Sequence, residues 1–540
     1  MSIPLLAGPS PVSSPFGESG QDFLGEGPHI EDSNCPFDEA QVFAALGGSS
    51  LRNLVERLML KLVENRLMKL PKILILFCMV FMALSGCSVQ RYRAAPLSPA
   101  ESATRLESRN LQDPDLRAFL KENLGHAVSA WPPKSWDLNS LTLAALYFNP
   151  EMAVAQAQTE VAKAAIITAG ARPNPTLGVT PGVPSPYLLD INFTIPIQTA
   201  GKRGYQIGRA RDLSEAARFN LASTAWKVHS AVRTALLDYL IAVRSLNQTR
   251  SQQGVLSERV KLLEKRLAVG EISRPEVDLA RIQLANTKLA VLSGESQISQ
   301  VQTALAGAIG VPVSALDGLE FSWPDFTNPP NAASFSAREM QRAAVLNRLD
   351  VREALAEYAA AEANLQLQIA KQYPDIQIGP GYQYEESNNF FTLGLSVTLP
   401  IFNRNQGPIA EAEARRKEAA ANFVATQARA IADSEVAFAR YNGAWKELAE
   451  TEDLLKLHSG RVQLAKNAFN AGESGPLPLN SELLQNVLAG GAEISALYRT
   501  QVALGTLEDA IERPLDPGDA MPAFGPQSPA LENHIKEKKQ

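Results

Sequence analysis

The chain has 540 residues, 45% hydrophobic and 20% charged, and a formal net charge of -6. Such a chain can bury large surfaces but carries no broad basic field, which argues against a nucleic-acid partner. Five scattered histidines (His29, His126, His229, His458, His534) and three cysteines without metal-ligand spacing (Cys35, Cys78, Cys87) indicate no zinc site, disulfide framework or cofactor.

Residues 1–67, with Gly, Ser and Pro abundant over 1–50, show no sustained periodicity and are expected to be a disordered upstream extension that the native protein lacks. Lys69 and Lys72 precede an apolar run, Ile73 to Ala83, that ends in Leu84-Ser85-Gly86-Cys87. Residues 68–86 resemble a bacterial lipoprotein signal peptide. Their eleven core residues fall short of the roughly 20 that span a bilayer but suit a signal core. The resemblance implies cleavage before Cys87, lipidation of that cysteine and, with Ser88 beside it, sorting to the outer membrane. Residues 87–136 are polar and Pro-containing and read as an extended lipidated tether.

Helical periodicity begins near Leu141. Residues 137–312 read as helix 141–171, strands 175–183 and 187–197, helix 203–269, a turn at Gly270 to Pro275, and helix 276–309. An irregular linker, 313–336, follows. Residues 337–514 then read as helix 337–372, strands 375–384 and 390–401, helix 408–470, a turn at Gly472 to Pro478, and helix 479–511. A Pro-rich tail, 515–540, is expected to be disordered.

The second half repeats the first. Thr194-Ile195-Pro196-Ile197 answers Thr398-Leu399-Pro400-Ile401, Ala210-Arg211 answers Ala414-Arg415, and Gly270-Glu271 answers Gly472-Glu473, at offsets of 204, 204 and 202. Val228, Val232, Leu236, Leu240, Val243 and Leu246 recur at helical steps, and alanine is dense from Ala410 to Ala432, which favours closely packed helices. Helices of this length extend about 100 Å. Helix 276–309 with 337–372, and 141–171 with 479–511, have the summed lengths to lie end to end along one long helix each.

In strand 187–197, Leu189, Ile191, Phe193, Ile195 and Ile197 alternate with polar residues and Pro196; in 390–401, Phe391, Leu393, Leu395, Val397 and Leu399 do the same. A half-buried strand of a soluble sheet has that pattern too. The signal, strand lengths near the 9–11 residues that cross a bilayer, and Tyr382, Tyr384, Phe390 and Phe391 around the polar turn Glu385 to Asn389 favour a membrane barrel. Four strands cannot close one, and lipid does not tolerate an open edge. Two chains would give eight strands with a filled interior; three give twelve and a lumen.

With the repeat, the strand ends at Pro196 and Pro400, and the turns at Gly270 and Gly472, residues 137–514 resemble the TolC-like outer-membrane efflux family. The resemblance implies a mainly α fold with a small β part: a long α-helical barrel in the periplasm, and four strands per chain in a homotrimeric twelve-stranded barrel held in outer-membrane lipid. It also implies an inner-membrane pump and a periplasmic adaptor as partners. Gly201-Lys202-Arg203 resembles the CzcC-like cation-efflux branch, which exports divalent metals; a drug or other small molecule is the alternative cargo. The family's adaptor-docking tip maps onto Arg266, Gly270 and Ser273 and, more loosely, Gly472 and Ser474. Pro476 and Pro478 are expected to end one helix and delay the next. Family channels narrow near the tip through acids, here Glu473, Glu482 and Asp278, although carboxylates near helix N-termini are also favoured on solvated surfaces.

No Ser/His/Asp set, P-loop or HExxH motif points to an enzyme. A passive coiled-coil envelope lipoprotein would explain the signal and helices but not four amphipathic strands at matching positions. A periplasmic adaptor would need one hairpin between soluble β-domains rather than a duplication.

Overall fold

The computed structural model describes residues 91–124, 131–182 and 188–515. The chain divides into two units: Met1–Pro96, of which only 91–96 are described and have no regular structure, and Leu97–Gln540, which carries every element below. The upstream extension, the signal, Cys87 and the tail beyond residue 515 lie outside the described residues.

In chain order the elements are α1 (Pro99–Glu107), α2 (Pro114–Leu124), β1 (Ser135–Trp136), α3 (Leu138–Phe148), α4 (Pro150–Gly170), β2 (Thr176–Gly182), β3 (Leu188–Ile197), α5 (Lys202–Ala268), α6 (Arg274–Ile309), β4 (Glu320–Phe321), α7 (Ala337–Asn347), α8 (Leu349–Ala370), β5 (Ile376–Glu385), β6 (Asn388–Val397), α9 (Gln406–Asn470) and α10 (Pro476–Ile511). The duplication is explicit: α4-β2-β3-α5-α6 answers α8-β5-β6-α9-α10.

The segment expected to be an extended tether is folded from Pro99 onward. Leu116, Phe119 and Leu120 bury one stripe of α2, the indole of Trp131 donates to the Gln112 carbonyl at 3.0 Å, and Trp136 is fully buried. β1 pairs in parallel with β4, so part of the irregular linker is also ordered, and Leu316, Trp323 and Phe326 share the main core with α2, α3 and α5. α2 shows only one turn of the helical period, at Leu116, Phe119 and Leu120, and the β1–β4 pair shows none, which is why sequence pattern missed them.

Helices expected at 141–171 and 337–372 are each interrupted. Asn149 (φ -65, ψ 126) and Arg348 (φ -57, ψ 127) are extended; Pro150 opens α4, and the Asn149 side chain caps it by accepting from Glu151 N–H at 2.9 Å. The end-to-end pairing also differs from expectation. α6 stops at Gly310 (φ 88), where a Cβ would lie 3.0 Å from the Phe148 carbonyl oxygen, and Asn149 Nδ2 donates to the Ala308 carbonyl at 3.1 Å. Thus α6 abuts α4. In the second copy α10 stops at Glu512 (φ 46), whose carboxylate accepts from Leu349 N–H, so α10 abuts α8. Length alone could not choose between the two pairings; these backbone contacts do.

The two joints are held differently. At the first, Arg109 Nη1 donates to the Phe148 and Gly310 carbonyls at 2.6 and 2.9 Å. At the second, burial pushes the Glu512 carboxyl up from 4.5 to about 7, aided by Asp350 and Asp509 and opposed by the Leu349 N–H and Arg348. A carboxyl with a raised folded pKa binds its proton more tightly when folded, so this group's contribution to stability falls as pH rises from about 4.5 to about 7 and is constant above. Glu512→Gln is therefore expected to melt a few degrees higher than the parent chain at pH 8 and level with it near pH 4.5. Parallel melting curves at both pH values would argue against this linkage.

The other four described strands form one antiparallel sheet in the order β2-β3-β5-β6. The β5–β6 turn is tighter than Glu385 to Asn389: two residues, Glu386 (φ 47) and Ser387 (φ 71), turn the chain with positive φ at both, without glycine. β6 ends at Val397 rather than 401, just before Pro400, which has no N–H for a ladder.

Candidate functional site

The sheet register sorts side chains by polarity. Leu177 faces Phe193, Val179 faces Ile191, Ile191 faces Tyr382, Ile378 faces Leu395 and Tyr382 faces Phe391 on one side; Thr176–Thr194, Asp190–Gln383 and Gln377–Ser396 lie on the other. The apolar side is open: Phe391 is 86% exposed, Leu393 77% and Leu395 71%. Among the described residues no strand of this chain pairs with the outer edge of β2 or of β6.

Gly201-Lys202-Arg203 anchors the sheet to the helices. Gly201 takes φ 72 before α5; buried Lys202 donates from Nζ to the Tyr373 carbonyl and to Asp375, both at 2.6 Å; Arg203 Nε caps α4 through the Gly170 carbonyl at 2.7 Å. Asn405 (φ 63) does the same in the second copy, donating to the Gln368 carbonyl at 2.7 Å. Every residue of the triplet thus has an architectural task.

At the opposite end, both long helices finish alike. Gly270 N–H bonds Leu267 O and Glu271 N–H bonds Arg266 O; Gly472 N–H bonds Phe469 O and Glu473 N–H bonds Ala468 O, with φ 74 and 75 at the glycines. These are Schellman turns, which need a left-handed residue after the helix. Gly270→Val or Gly472→Val is expected to cost about 1–2 kcal/mol locally, seen as faster proteolysis at the turn with the global melt unchanged; unaltered cleavage would contradict it. After the first turn the Ser273 hydroxyl and N–H donate to Glu276 at 2.9 and 3.3 Å. Ser474 has no such role: its hydroxyl reaches only the Gly475 carbonyl, at 3.4 Å. The prolines do not delay the next helix. Pro476 opens α10 and Pro478 sits in its first turn, where backbone N–H groups have no helical acceptor.

The two hairpins pack together near their ends. Leu477 covers a cluster of Val260, Leu263, Val277 and Ala280, Asn480 Nδ2 donates to the Val255 carbonyl at 2.9 Å, and Arg259 donates to Ser481 at 3.2 Å. Arg266 is paired with Glu271 at 2.8 Å. Of the three acids considered for a constriction, Glu482 pairs with Arg461 at 2.6 Å and Asp278 with Arg281 at 3.3 Å, while Glu473 is exposed. The Arg281 partner was detectable from its i,i+3 spacing to Asp278; Arg461 lies on another helix and was not.

A polar seam runs the length of the antiparallel α5–α10 contact. Trp226 Nε1 donates to Asp509 at 2.9 Å, Arg233 pairs with Glu508 at 3.1 Å, Arg244 with Glu493 at 3.3 Å, and Gln248 Nε2 donates to the Val487 carbonyl at 2.5 Å. Gly505 and Gly490 make room: a Cβ at either would meet Arg233 Nη1 or Gln248 Nε2 at 2.0 or 2.4 Å. Burial, with Arg233 nearby, drives the His229 imidazole down to about 3, so it stays neutral beside the Thr142 hydroxyl, 3.1 Å away. Among the described residues no group of three or more His, Cys, Asp or Glu could hold a metal ion, and no helix is long and apolar enough to cross a membrane.

A family model described as outer membrane efflux protein matches residues 142–311 and 341–511, the two copies. The cobalt-zinc-cadmium resistance protein CzcC of Cupriavidus metallidurans is 25% identical over 240 residues, 44% of this chain and 55% of that protein, so the match spans only about half of that relative. The pyoverdine export outer membrane protein OpmQ of Pseudomonas aeruginosa is 23% identical over 62% of this chain and 76% of its own length. Among solved structures, the outer membrane protein VceC of Vibrio cholerae shares the fold with TM-score 0.56 and 20% identity, over 70% of this chain and 97% of that one.

Proposed function

Since the chain belongs to the outer membrane efflux protein family, a family of transport channels of the outer membrane, we propose that three copies form the exit conduit of a tripartite efflux system. The observation that carries this is the unfinished sheet. Four strands with an exposed apolar face and two unpaired edges cannot rest in lipid alone, because each unsatisfied backbone group there costs several kcal/mol. Twelve strands from three chains close the ring and leave a lumen.

The duplication supports a ring independently. Within the chain α5 packs on α4, α6, α8 and α10, whereas α9 packs on α7, α8 and α10 and makes no comparably extensive contact with α4 or α6 among the described residues. By the repeat's symmetry those two helices should cover α9, and a neighbouring copy can supply them. Exposed Leu279, Ile282, Leu289 and Leu292 on α6, and Val424, Leu454, Leu457 and Leu464 on α9, are surfaces such a contact would bury.

In this reading the Gly270 and Gly472 turns, with Arg266, Ser273 and Ser474, face the periplasmic adaptor, an inner-membrane pump loads the conduit, and lipid on Cys87 adds an anchor. The conduit is passive, with no catalytic residue of its own. Divalent heavy-metal cations are the cargo supported by the cobalt-zinc-cadmium relative; the pyoverdine-export relative supports a second reading, an organic small molecule. Native mass spectrometry of detergent-extracted protein should give a trimer that conducts ions in planar bilayers; a stable monomer without conductance would refute the proposal. Deleting the chain from its source strain should sensitise it to cobalt, zinc or cadmium, and unchanged metal tolerance would favour the organic cargo.

A further inference from the structure

A cleft of about 650 Å³ opens where β6 hands over to α9, lined by Gln372, Ile401, Phe402, Arg404, Ile409 and Glu413. Part of its wall is apolar: Ile401 is 65% exposed and Phe402 95%, and both lie just beyond the end of β6, whose Leu393, Leu395 and Val397 belong to the open apolar side. The cleft also holds one cation and one anion. Among the described residues neither the Arg404 guanidinium nor the Glu413 carboxylate has an ion-pair partner, whereas nearby Lys202 and Asp375 satisfy each other.

Each of the other strand–helix junctions also carries basic residues: Arg172 before β2, Lys202 and Arg203 after β3, and Lys371 before β5. In residues 171–175, 198–205, 371–375 and 398–406, Asp375 is the only acid. These junction segments are thus mostly basic, and the cleft adds the Glu413 carboxylate beside Arg404. A phosphate belongs beside Arg404, where charge-assisted hydrogen bonds are strongest, and a compact donor-bearing cation belongs beside Glu413.

We infer that this cleft binds a glycerophospholipid with a zwitterionic, primary-amine headgroup: phosphate on Arg404, ammonium on Glu413, and acyl chains along the apolar row of β6. The inference rests on the membrane-embedded reading above. It selects phosphoethanolamine over phosphocholine, whose quaternary ammonium cannot donate a hydrogen bond, and over phosphoglycerol, which has no cation for Glu413.

The test uses the full chain purified in detergent and titrated with phosphatidylethanolamine, phosphatidylcholine and phosphatidylglycerol of identical acyl chains, with lipid retention read by native mass spectrometry. The expected result is about threefold preference for the ethanolamine lipid, the scale of one accessible ion pair. Glu413→Gln should erase the preference over phosphatidylcholine while retaining lipid, and Arg404→Ala should weaken all three. Equal retention of the three lipids by the parent chain, or a preference unaltered in Glu413→Gln, overturns the inference. So does crosslinking of Phe402→Cys, labelled with a benzophenone maleimide, to a neighbouring copy, which would show the cleft filled by protein. Chains that assemble in the outer membrane yet show no lipid preference sink this inference alone; chains that fail to assemble sink the channel reading with it.

Discussion

Leu393→Arg is expected to abolish assembly of the membrane sheet and leave the helices folded. Leu393 is 77% exposed and sits opposite Pro380, in the middle of β6 on the apolar side. An arginine on the lipid face of a barrel costs about 2–4 kcal/mol at the bilayer midplane. A closed trimer would carry three copies of that cost at one depth. On the same strand Ser396 pairs with Gln377 on the polar side, so Ser396→Arg should assemble normally and alter only conductance or ion preference. Heat-modifiable migration and recovery in outer-membrane fractions distinguish the two. If both variants assemble equally well, the apolar side does not face lipid.

The second large effect lies in the α5–α10 seam. Arg233→Met is expected to destabilise the chain by about 3–5 kcal/mol, because it leaves Glu508 as an uncompensated buried charge. The pair is almost dry, with side-chain exposures of 5% and 2%. Arg233 is held further by the Gln501 carbonyl at 3.2 Å and lies 5.2 Å over the Trp323 ring, while Glu508 accepts from Leu515 N–H at 2.8 Å. Because burying an ion pair costs nearly what it returns, Arg233→Met with Glu508→Met should recover much of the loss. Thermal melts of the single and double variants decide this. A single variant as stable as the parent would mean that water reaches Glu508.

The duplication, the strands and the long helices were legible in sequence because each repeats a short-range rule many times: alternation along β3 and β6, helical steps from Val228 to Leu246, and a glycine after each long helix. The folded N-terminal segment was not, since α2 offers three buried apolar residues and β1 only two residues in all. The interruptions at Asn149 and Arg348 were hidden because apolar periodicity continues across them; Asn149-Pro150 was a readable cap in the first copy, while Arg348-Leu349 has no equivalent signal. At the turns, sequence located Gly270 and Gly472 correctly but could not see that Asp278 and Glu482 are already matched by arginines. The seam was invisible for a different reason. Its partners lie more than 200 positions apart, and nothing local marks Gly505 as the place where Arg233 must pass.

The broken helices carry a mechanical consequence. Among the described residues α5 and α9 run from strand to turn as single helices, whereas α4 against α6, and α8 against α10, meet end on with no peptide bond across the gap. Bending stress introduced at the hairpin ends therefore passes to the strands through α5 and α9, while the other two helical columns can give at their butt joints. One joint closes on a glycine gripped by arginine and the other on a carboxylate pushed up to about 7, so of these two contacts the second is the one whose charge changes near neutral pH.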